Sequence, residues 1–266
     1  NGEVFGYRKA YVLSAMVSLV VSIVVLLFLR ENPADGPAVP ADNGKKKPKG
    51  VQWVGIPYET ARKKPYFYAI AVLIFLTGIS LQSIGSITIV YMTDLGIPTS
   101  YIAILTMISS LTLTCSKFFV GASYDKWGLS VALRICQIAA LVTFVLKGVL
   151  TNSAIGMIFA VVATVLSNVA MPLETVMIPL MTNDLFGSAS YSKVLGILMA
   201  MNSLGLCLGS PLGDLCFDTL GTYKPCFWIF AILLGVVAIG YHFAIQAAYR
   251  DKNAILAEPQ SFSAEP

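Results

Sequence analysis

Long apolar runs separated by short polar segments dominate this chain. Each run holds about 20 residues or more, the length that spans the hydrocarbon core of a bilayer. We predict membrane-spanning helices at 10–29, 66–92, 101–121, 131–150, 155–181, 192–217 and 225–247. The first run is too long for the apolar core of a cleaved signal peptide, so we count it as a span.

The composition agrees with a bilayer protein. Of the 266 residues, 56% are hydrophobic and 12% are charged, whereas a soluble domain carries about 25% charged residues. The sequence contains no metal-ligand pair, phosphate-binding loop or catalytic dyad. We therefore expect neither an enzyme nor a bound metal or cofactor.

The basic residues predict an orientation. Of the 18 Lys and Arg residues, only Arg8, Lys9 and Lys224 lie between spans on one side, and Lys117 and Lys147 lie within spans. The others lie on the opposite side, which should be cytoplasmic. Because they flank spans, orientation explains them better than nucleic-acid binding. The C-terminus is then cytoplasmic, and we expect the protein in a plasma or inner membrane.

The composition also predicts the domain organisation. Residues 1–29 read as an outer loop and a span, and 30–64 as a basic cytoplasmic linker rich in Pro, Gly and Lys. The lysine run at 45–49 is either solvated or in contact with anionic headgroups. Pro65 suits the first turn of a helix, so a six-helix bundle should occupy 65–250, followed by a cytoplasmic tail at 251–266.

Two short strings recur with the same order and spacing. The segment 94–101, which begins Asp-Leu-Gly, is echoed at 184–191, and the aromatic-Asp-x-x-Gly string at 124–128 is echoed at 217–221. The six later spans therefore group as two units of three. Because three is odd, the second unit is inverted relative to the first, a plan found in secondary transporters. The expected fold is all-α, with two inverted three-helix repeats and one preceding helix.

A polar stripe on the third span holds the main candidate site. Ser110, Thr114, Lys117 and Gly121 recur at helical spacing on an otherwise apolar helix. A lysine costs about 2.5–3.5 kcal/mol at the centre of a membrane helix on insertion scales. Either Lys117 faces a substrate cavity, or it reaches the interface or forms a structural ion pair.

Glu174 is the candidate acidic partner. It lies at a depth similar to that of Lys117, and we consider two hypotheses: an ion pair with Lys117 when substrate is absent, or one with Lys126 that closes an inner gate. Pro172 and Pro179 bracket it, so its helix should kink or break, either for gating or as an ordinary feature of membrane helices.

Other polar residues within spans have two interpretations. Gln82 and Asn202 either bind substrate or hydrogen-bond neighbouring helices. Gly205, Gly209 and Gly213 predict a close-packing face. We expect Lys147 and Asp214, near outer helix ends, to extend to the interface, and His242 to be interfacial rather than a proton relay.

These residues resemble a known family. The segment 121–128, with Gly121, Asp125, Lys126 and Gly128, resembles the loop motif of the major facilitator superfamily between its eighth and ninth helices. Residues 209–223 resemble the eleventh and twelfth helices of its monocarboxylate and oxalate/formate branches, and residues 6–10 the start of the sixth. The resemblance implies that the chain covers helices six to twelve, with most of an N-terminal six-helix half absent.

The resemblance also implies a role for Lys117. In that branch a cation four residues before the first motif glycine contacts the substrate carboxylate, and Lys117 has this position. The proton-coupled carriers have an acid one turn earlier, where this chain has Leu113. The exchangers have a lysine in the eleventh helix, where this chain reads Met201-Asn202-Ser203. A doubly charged substrate and that proton-coupling mechanism are thus not implied.

We therefore expect a secondary transporter of a small organic solute, a carboxylate by resemblance, that works by alternating access. Its expected partners are the lipid bilayer, the carboxylate-like solute and the other six-helix half, with no nucleic acid. Two alternatives remain open: a carrier-derived membrane sensor or scaffold that does not transport, and a membrane enzyme with its catalytic cluster elsewhere.

Overall fold

The computed structural model describes residues 12–13, 15–23 and 55–257. The chain divides into two compact units, residues 1–50 and 51–266. In the first unit, residues 12–13 and 15–23 are helical. The rest of the first predicted span, residues 30–54 of the predicted 30–64 linker and residues 258–266 of the tail fall outside the described residues.

Across residues 55–257 the second unit consists of α-helices joined by short turns, with no strand. Its helices are α1 Tyr58–Ala61, α2 Pro65–Asp94, α3 Thr99–Trp127, α4 Leu129–Gly148, α5 Ala154–Ala170, α6 Pro172–Thr175, α7 Met177–Phe186, α8 Tyr191–Leu220 and α9 Lys224–Ala257. In this part of the chain 6 helical segments are long and apolar enough to cross a membrane. The predicted all-α polytopic fold is confirmed, and Pro65 is the first residue of α2 as expected.

The helix contacts follow the predicted repeat. Helix α2 packs along α8, and in the corresponding place of the other repeat α5 packs along α3. Helix α4 likewise packs on α5, while α9 packs on α2. When α2, α3 and α4 are matched with α5–α7, α8 and α9 in turn, each contact has its counterpart in the other unit. This is expected for two related three-helix units. The outer pair, α4 and α9, closes the bundle by packing on each other.

Glycines with positive φ end the helices at matching places in the two repeats. Gly128 ends α3 with φ 80° and Gly221 ends α8 with φ 67°. Gly96 follows α2 with φ 74°, and Gly187 ends α7 with φ 73°. A side chain is strained in this region of φ, whereas glycine is not. Both repeated strings found in the sequence thus position the turns of the fold.

The predicted glycine face brings α8 against α2. A Cβ on Gly209 would stand 2.8 Å from the backbone oxygen of Ile79 and 2.7 Å from the Cβ of Gln82. Gly205 and Gly213 also meet α2. Small residues let helix backbones approach closely in a membrane, so these glycines set the α2–α8 distance.

The helical segment before Gly187 is broken on either side of Glu174. Proline has no backbone N–H, so Pro172 and Pro179 leave the carbonyls of Asn168 and Thr175 without their ordinary helical donors. The structure breaks close to these points, with α6 beginning at Pro172 and α7 at Met177. The predicted 155–181 span is therefore three helical pieces.

Ion pairs fasten helix ends at one end of the bundle. Lys64, which precedes α2, donates to Asp251 of α9 at 2.8 Å, and the hydroxyl of Tyr66 donates to the same carboxylate at 3.1 Å. Lys252 of α9 donates at 2.8 Å to the carboxylate of Asp184 in α7. We refer to this as the paired end.

Candidate functional site

A cavity of about 210 Å³ lies between α2, α3, α4 and α5. Its wall combines apolar side chains with hydroxyl, amide and ammonium groups. The lining residues are Gly85, Thr88, Ile89, Met92, Ile102, Leu105, Thr106, Ser109, Lys147, Thr164, Ser167, Asn168 and Met171. The cavity thus resembles a small-molecule site, which is mostly apolar with a few placed polar groups.

Lys147 is the cation of this cavity. It lies in the last turn of α4, and it is only 3% exposed. Its ammonium donates to the hydroxyl of Thr88 at 2.8 Å. The prediction that Lys147 extends to the outer interface is therefore wrong. Its side chain turns inward because α4 presents this position to α2.

The ammonium of Lys147 lacks an acidic partner. Within residues 55–257, no carboxylate lies within ion-pair distance of it. The C-terminus of α4 offers a partial negative charge worth about 0.3–1 kcal/mol, less than the roughly 2.5–3.5 kcal/mol that a lysine costs in a membrane helix. The charge is therefore under-compensated, and an anion in the cavity would supply what is missing.

An amide and a hydroxyl form a polar cluster in the same wall. The amide nitrogen of Asn168 donates to the hydroxyl of Ser109 at 2.9 Å and to the carbonyl of Thr164 at 2.8 Å. The bond to Ser109 joins α5 to α3, and the two bonds together fix the amide orientation. Sequence reasoning did not select Ser109, Thr164 or Asn168.

The predicted stripe on α3 is exposed along its length. Ser110, Thr114 and Lys117 are exposed, and Gly121 is half-buried. On another side of α3, the exposed residues Ile104, Leu111 and Phe119 are apolar and suited to lipid. The side chains of Ser110 and Thr114 also bond to carbonyls of their own helix. Met107 is 69% exposed and lies one turn from Ser110, and Phe118 is 77% exposed and lies one turn from Thr114. Exposed apolar residues therefore border the polar stripe directly.

Glu174 lies apart from Lys117. The carboxyl of Glu174 is 7% exposed, and its Oε1 atom has no hydrogen-bond partner among the described residues. It lies near enough to the phenol of Tyr241 in α9 for electrostatic interaction. Neither hypothesised ion pair, with Lys117 or with Lys126, is present in residues 55–257.

Gln82 and Asn202 belong to the seam between α2 and α8. The side-chain nitrogen of Gln82 lies 3.5 Å from the hydroxyl of Ser210. Asn202 is 6% exposed and faces Gly78, and its side-chain oxygen has no hydrogen-bond partner among the described residues. This placement favours the helix-packing interpretation for both residues.

The loop motif lies at the paired end. Asp125 and Lys126 are exposed in the last turn of α3, and the Lys126 ammonium sits 5.0 Å from the ring centroid of Trp127. Gly128 makes the turn into α4, while Gly121 has open space around its α-carbon. The motif thus forms an accessible surface.

Comparison with protein families agrees with this architecture. A model of the Major Facilitator Superfamily matches residues 2–178 and 71–264. The chain belongs to the Major Facilitator Superfamily. The comparison with curated proteins gave no match.

Membership of the superfamily makes the chain a secondary transporter that is embedded in a lipid bilayer and acts on a small molecule. The superfamily is not enzymatic in general. The all-α architecture and the apolar helices fit this membership.

The position of Lys147 was detectable in the sequence of this superfamily member. Leu133, Cys136, Ala140, Phe144 and Lys147 follow at helical spacing, and all are buried along one face of α4. A lysine in register with such a face points inward. The prediction of an interfacial Lys147 relied on its nearness to a helix end. That nearness is a weaker indicator than the helical register of Lys147 with the buried face.

Proposed function

We propose that this chain forms the substrate-binding part of a transporter for small organic anions, in particular carboxylates, that works by alternating access. The observation that carries the proposal is the buried ammonium of Lys147, which faces a cavity and has no carboxylate partner within residues 55–257. A carboxylate accepts charge-assisted hydrogen bonds, which are stronger than neutral ones.

The cavity suits a small solute. Its volume of about 210 Å³ is several times the volume that one water molecule needs. Lys147 would hold the negative group, and the hydroxyls of Thr88, Thr106 and Ser109 would accept or donate further hydrogen bonds. The apolar wall, including Ile89 and Leu105, would contact the carbon skeleton.

The α3 stripe provides a route from the cavity. Thr106 lines the cavity, and Lys117 follows it by 11 residues, roughly 16 Å along a helix at 1.5 Å per residue. Ser110 and Thr114 lie between them. We assign Lys117 as a second cation on the path, facing the other six-helix half that the resemblance implies.

The remaining predicted residues have distinct roles in this proposal. Glu174 lies one turn beyond Met171 of the cavity wall, and the broken helix around it is suited to changing shape between conformations. Gln82 and Asn202 contact substrate only if the α2–α8 seam opens. Gly121, Asp125, Lys126 and Gly128 form the gating loop on the cytoplasmic side, the same side as the C-terminus.

Uptake by the complete transporter in proteoliposomes tests this function. The substrates are radiolabelled acetate, pyruvate and oxalate, and the variant is Lys147→Met. Loss of one charge-assisted hydrogen bond should reduce uptake at low substrate concentration by about 10- to 100-fold. Lys224→Met, which removes an exposed lysine, is the matched control and should transport normally. Undiminished uptake by Lys147→Met would contradict the proposal.

A double-mutant cycle tests the proposed relation of Lys117 to Glu174. Because no ion pair joins the two within residues 55–257, uptake losses in Lys117→Ala and Glu174→Ala should be additive. Non-additive losses would contradict this expectation and would indicate a pair that forms in another conformation of the cycle.

A further inference from the structure

A second opening, a groove of about 620 Å³, runs between α4 and α9. The lining residues that bear on its chemistry are Arg134, Gln137, Ile138, Ile239, His242 and Gln246. None of them lines the cavity that contains Lys147. The groove is therefore a separate candidate site, on the outer pair of helices.

The charge in the groove is positive. Arg134 lines it and makes no ion pair within residues 55–257. His242 also lines the groove, and its Nε2 atom lies 3.0 Å from the amide nitrogen of Gln246. Among the described residues, no Asp or Glu lines the groove. At its rim the hydroxyl of Tyr249 donates to Asp184, whose carboxylate is already bonded by Lys252.

Gln137 supplies an unsatisfied donor in the wall. The residue is 5% exposed, and its side-chain nitrogen has no hydrogen-bond partner among the described residues. Buried amide groups are nearly always hydrogen-bonded. It lies one turn from Arg134 on α4, so a single anionic group in the groove is within reach of both.

Polar and apolar residues are separated along the groove. Helix α4 starts at the paired end and α9 finishes there, so Arg134, Gln246 and Tyr249 lie toward that end. Farther from it come Ile138 and Ile239, which are exposed although apolar. A cationic end followed by an apolar channel matches a phospholipid, whose headgroup and chains have the same order.

We propose that this groove binds one anionic phospholipid of the cytoplasmic leaflet. Its phosphate accepts from the guanidinium of Arg134 and from the amide nitrogen of Gln137, and an acyl chain lies along Ile138 and Ile239. The paired end is the one predicted to be cytoplasmic, where acidic lipids attract basic residues. The bound lipid would hold α4 to α9 independently of the transported solute.

Native mass spectrometry of the protein, extracted from vesicles of phosphatidylglycerol and phosphatidylcholine in equal amounts, tests the proposal. The wild type should retain phosphatidylglycerol in preference to phosphatidylcholine. Arg134→Gln should reduce that retention about tenfold, as expected for loss of a charge-assisted hydrogen bond. Arg250→Gln removes a nearby exposed cation outside the groove and should leave retention unchanged.

A second variant keeps the test informative should Arg134→Gln fail to fold. Gln137→Leu replaces the unsatisfied amide with an apolar group of similar size and should reduce retention about threefold while folding normally. Adding inorganic phosphate to the extracted protein should not displace the lipid, because free phosphate lacks the chains. Equal retention of both lipids, equal retention by wild type and both variants, or displacement by phosphate would overturn the proposal.

Discussion

Lys252 donates to the carboxylate of Asp184 at 2.8 Å, while near the opposite end of the bundle Lys147 donates at 2.8 Å to the hydroxyl of Thr88. The two hydrogen bonds have the same length but different electrostatic consequences. A carboxylate neutralises the ammonium, whereas a hydroxyl only orients it. Lys147 is also the more buried of the two, since the Lys252 side chain is 15% exposed.

The difference assigns different tasks to the two ends. At the paired end, Lys64–Asp251 and Lys252–Asp184 join chain segments that are far apart in sequence, so their charges serve the fold. At the other end, the charge of Lys147 joins α4 to α2 by one neutral group and faces a cavity. Lys147 is therefore a better candidate for ligand binding than the lysines whose ion pairs stabilise the fold.

The largest effect should come from adding the ligand. At a concentration 100 times its Kd, a bound anion stabilises the folded protein by about 2.7 kcal/mol. The carboxylate transported fastest should therefore raise the Tm of the wild type and of Lys252→Met, but not that of Lys147→Met. Thermal unfolding in detergent measures the shift. An equal shift in Lys147→Met would place the anion elsewhere.

Without ligand, Lys252→Met should be the less stable of the two variants. Lys252→Met leaves Asp184 without its cation and should lose about 1–2 kcal/mol of stability, a modest value because the pair is partly exposed. Lys147→Met removes an under-compensated charge and should be neutral or stabilising. Unfolding in denaturant compares them. Greater loss of stability in Lys147→Met would show that its charge serves the fold.

Removing the hydroxyl of Thr88 tests the side-chain hydrogen bond that Lys147 makes within residues 55–257. Thr88→Val should cost about 1 kcal/mol, since the ammonium loses its acceptor. In the Lys147→Met background the same substitution should cost much less, because the two groups are coupled. The double-mutant cycle is measured by thermal unfolding, with Thr93→Val, an exposed hydroxyl near the end of α2, as the control. Additive costs would argue against the contact.

Lys117→Gln should have the smallest effect. Lys117 is exposed and makes no ion pair within residues 55–257, and exposed charge interactions contribute about 0.2–1 kcal/mol. We expect uptake of the best carboxylate to fall less than about fivefold, far less than for Lys147→Met. Uptake kinetics separate the two. A larger loss for Lys117→Gln would make the α3 stripe, rather than the cavity, the principal site.

Local sequence signals predicted the helices and their turns well. The apolar runs after residue 65 became membrane-length helices, and Pro172 and Pro179 lie where the helical ladder is interrupted. These features depend on residues a few positions apart: an apolar stretch must be long enough to cross a bilayer, and a missing N–H breaks the nearest bonds.

The candidate site was harder to predict because it depends on distant residues. Lys117 and Lys147 are both lysines within apolar helices, yet one is exposed and the other is enclosed by four helices. Asn202 was a possible ligand by type, but the approach of α8 to Gly78 buries it in a seam. No local sequence pattern specifies which neighbouring helix each helix face contacts.

The sequence by itself determined the membrane class, the inverted repeat and the glycine turns at Gly128 and Gly221, because hydrophobic length and backbone conformation are properties of short segments. Only the tertiary structure decided that Lys147 turns inward to Thr88, and that Arg134 and Gln137 share a groove with α9. The physical reason is that the rotation of each helix is set by the packing of all its neighbours, some of which belong to the other repeat and are far away in sequence.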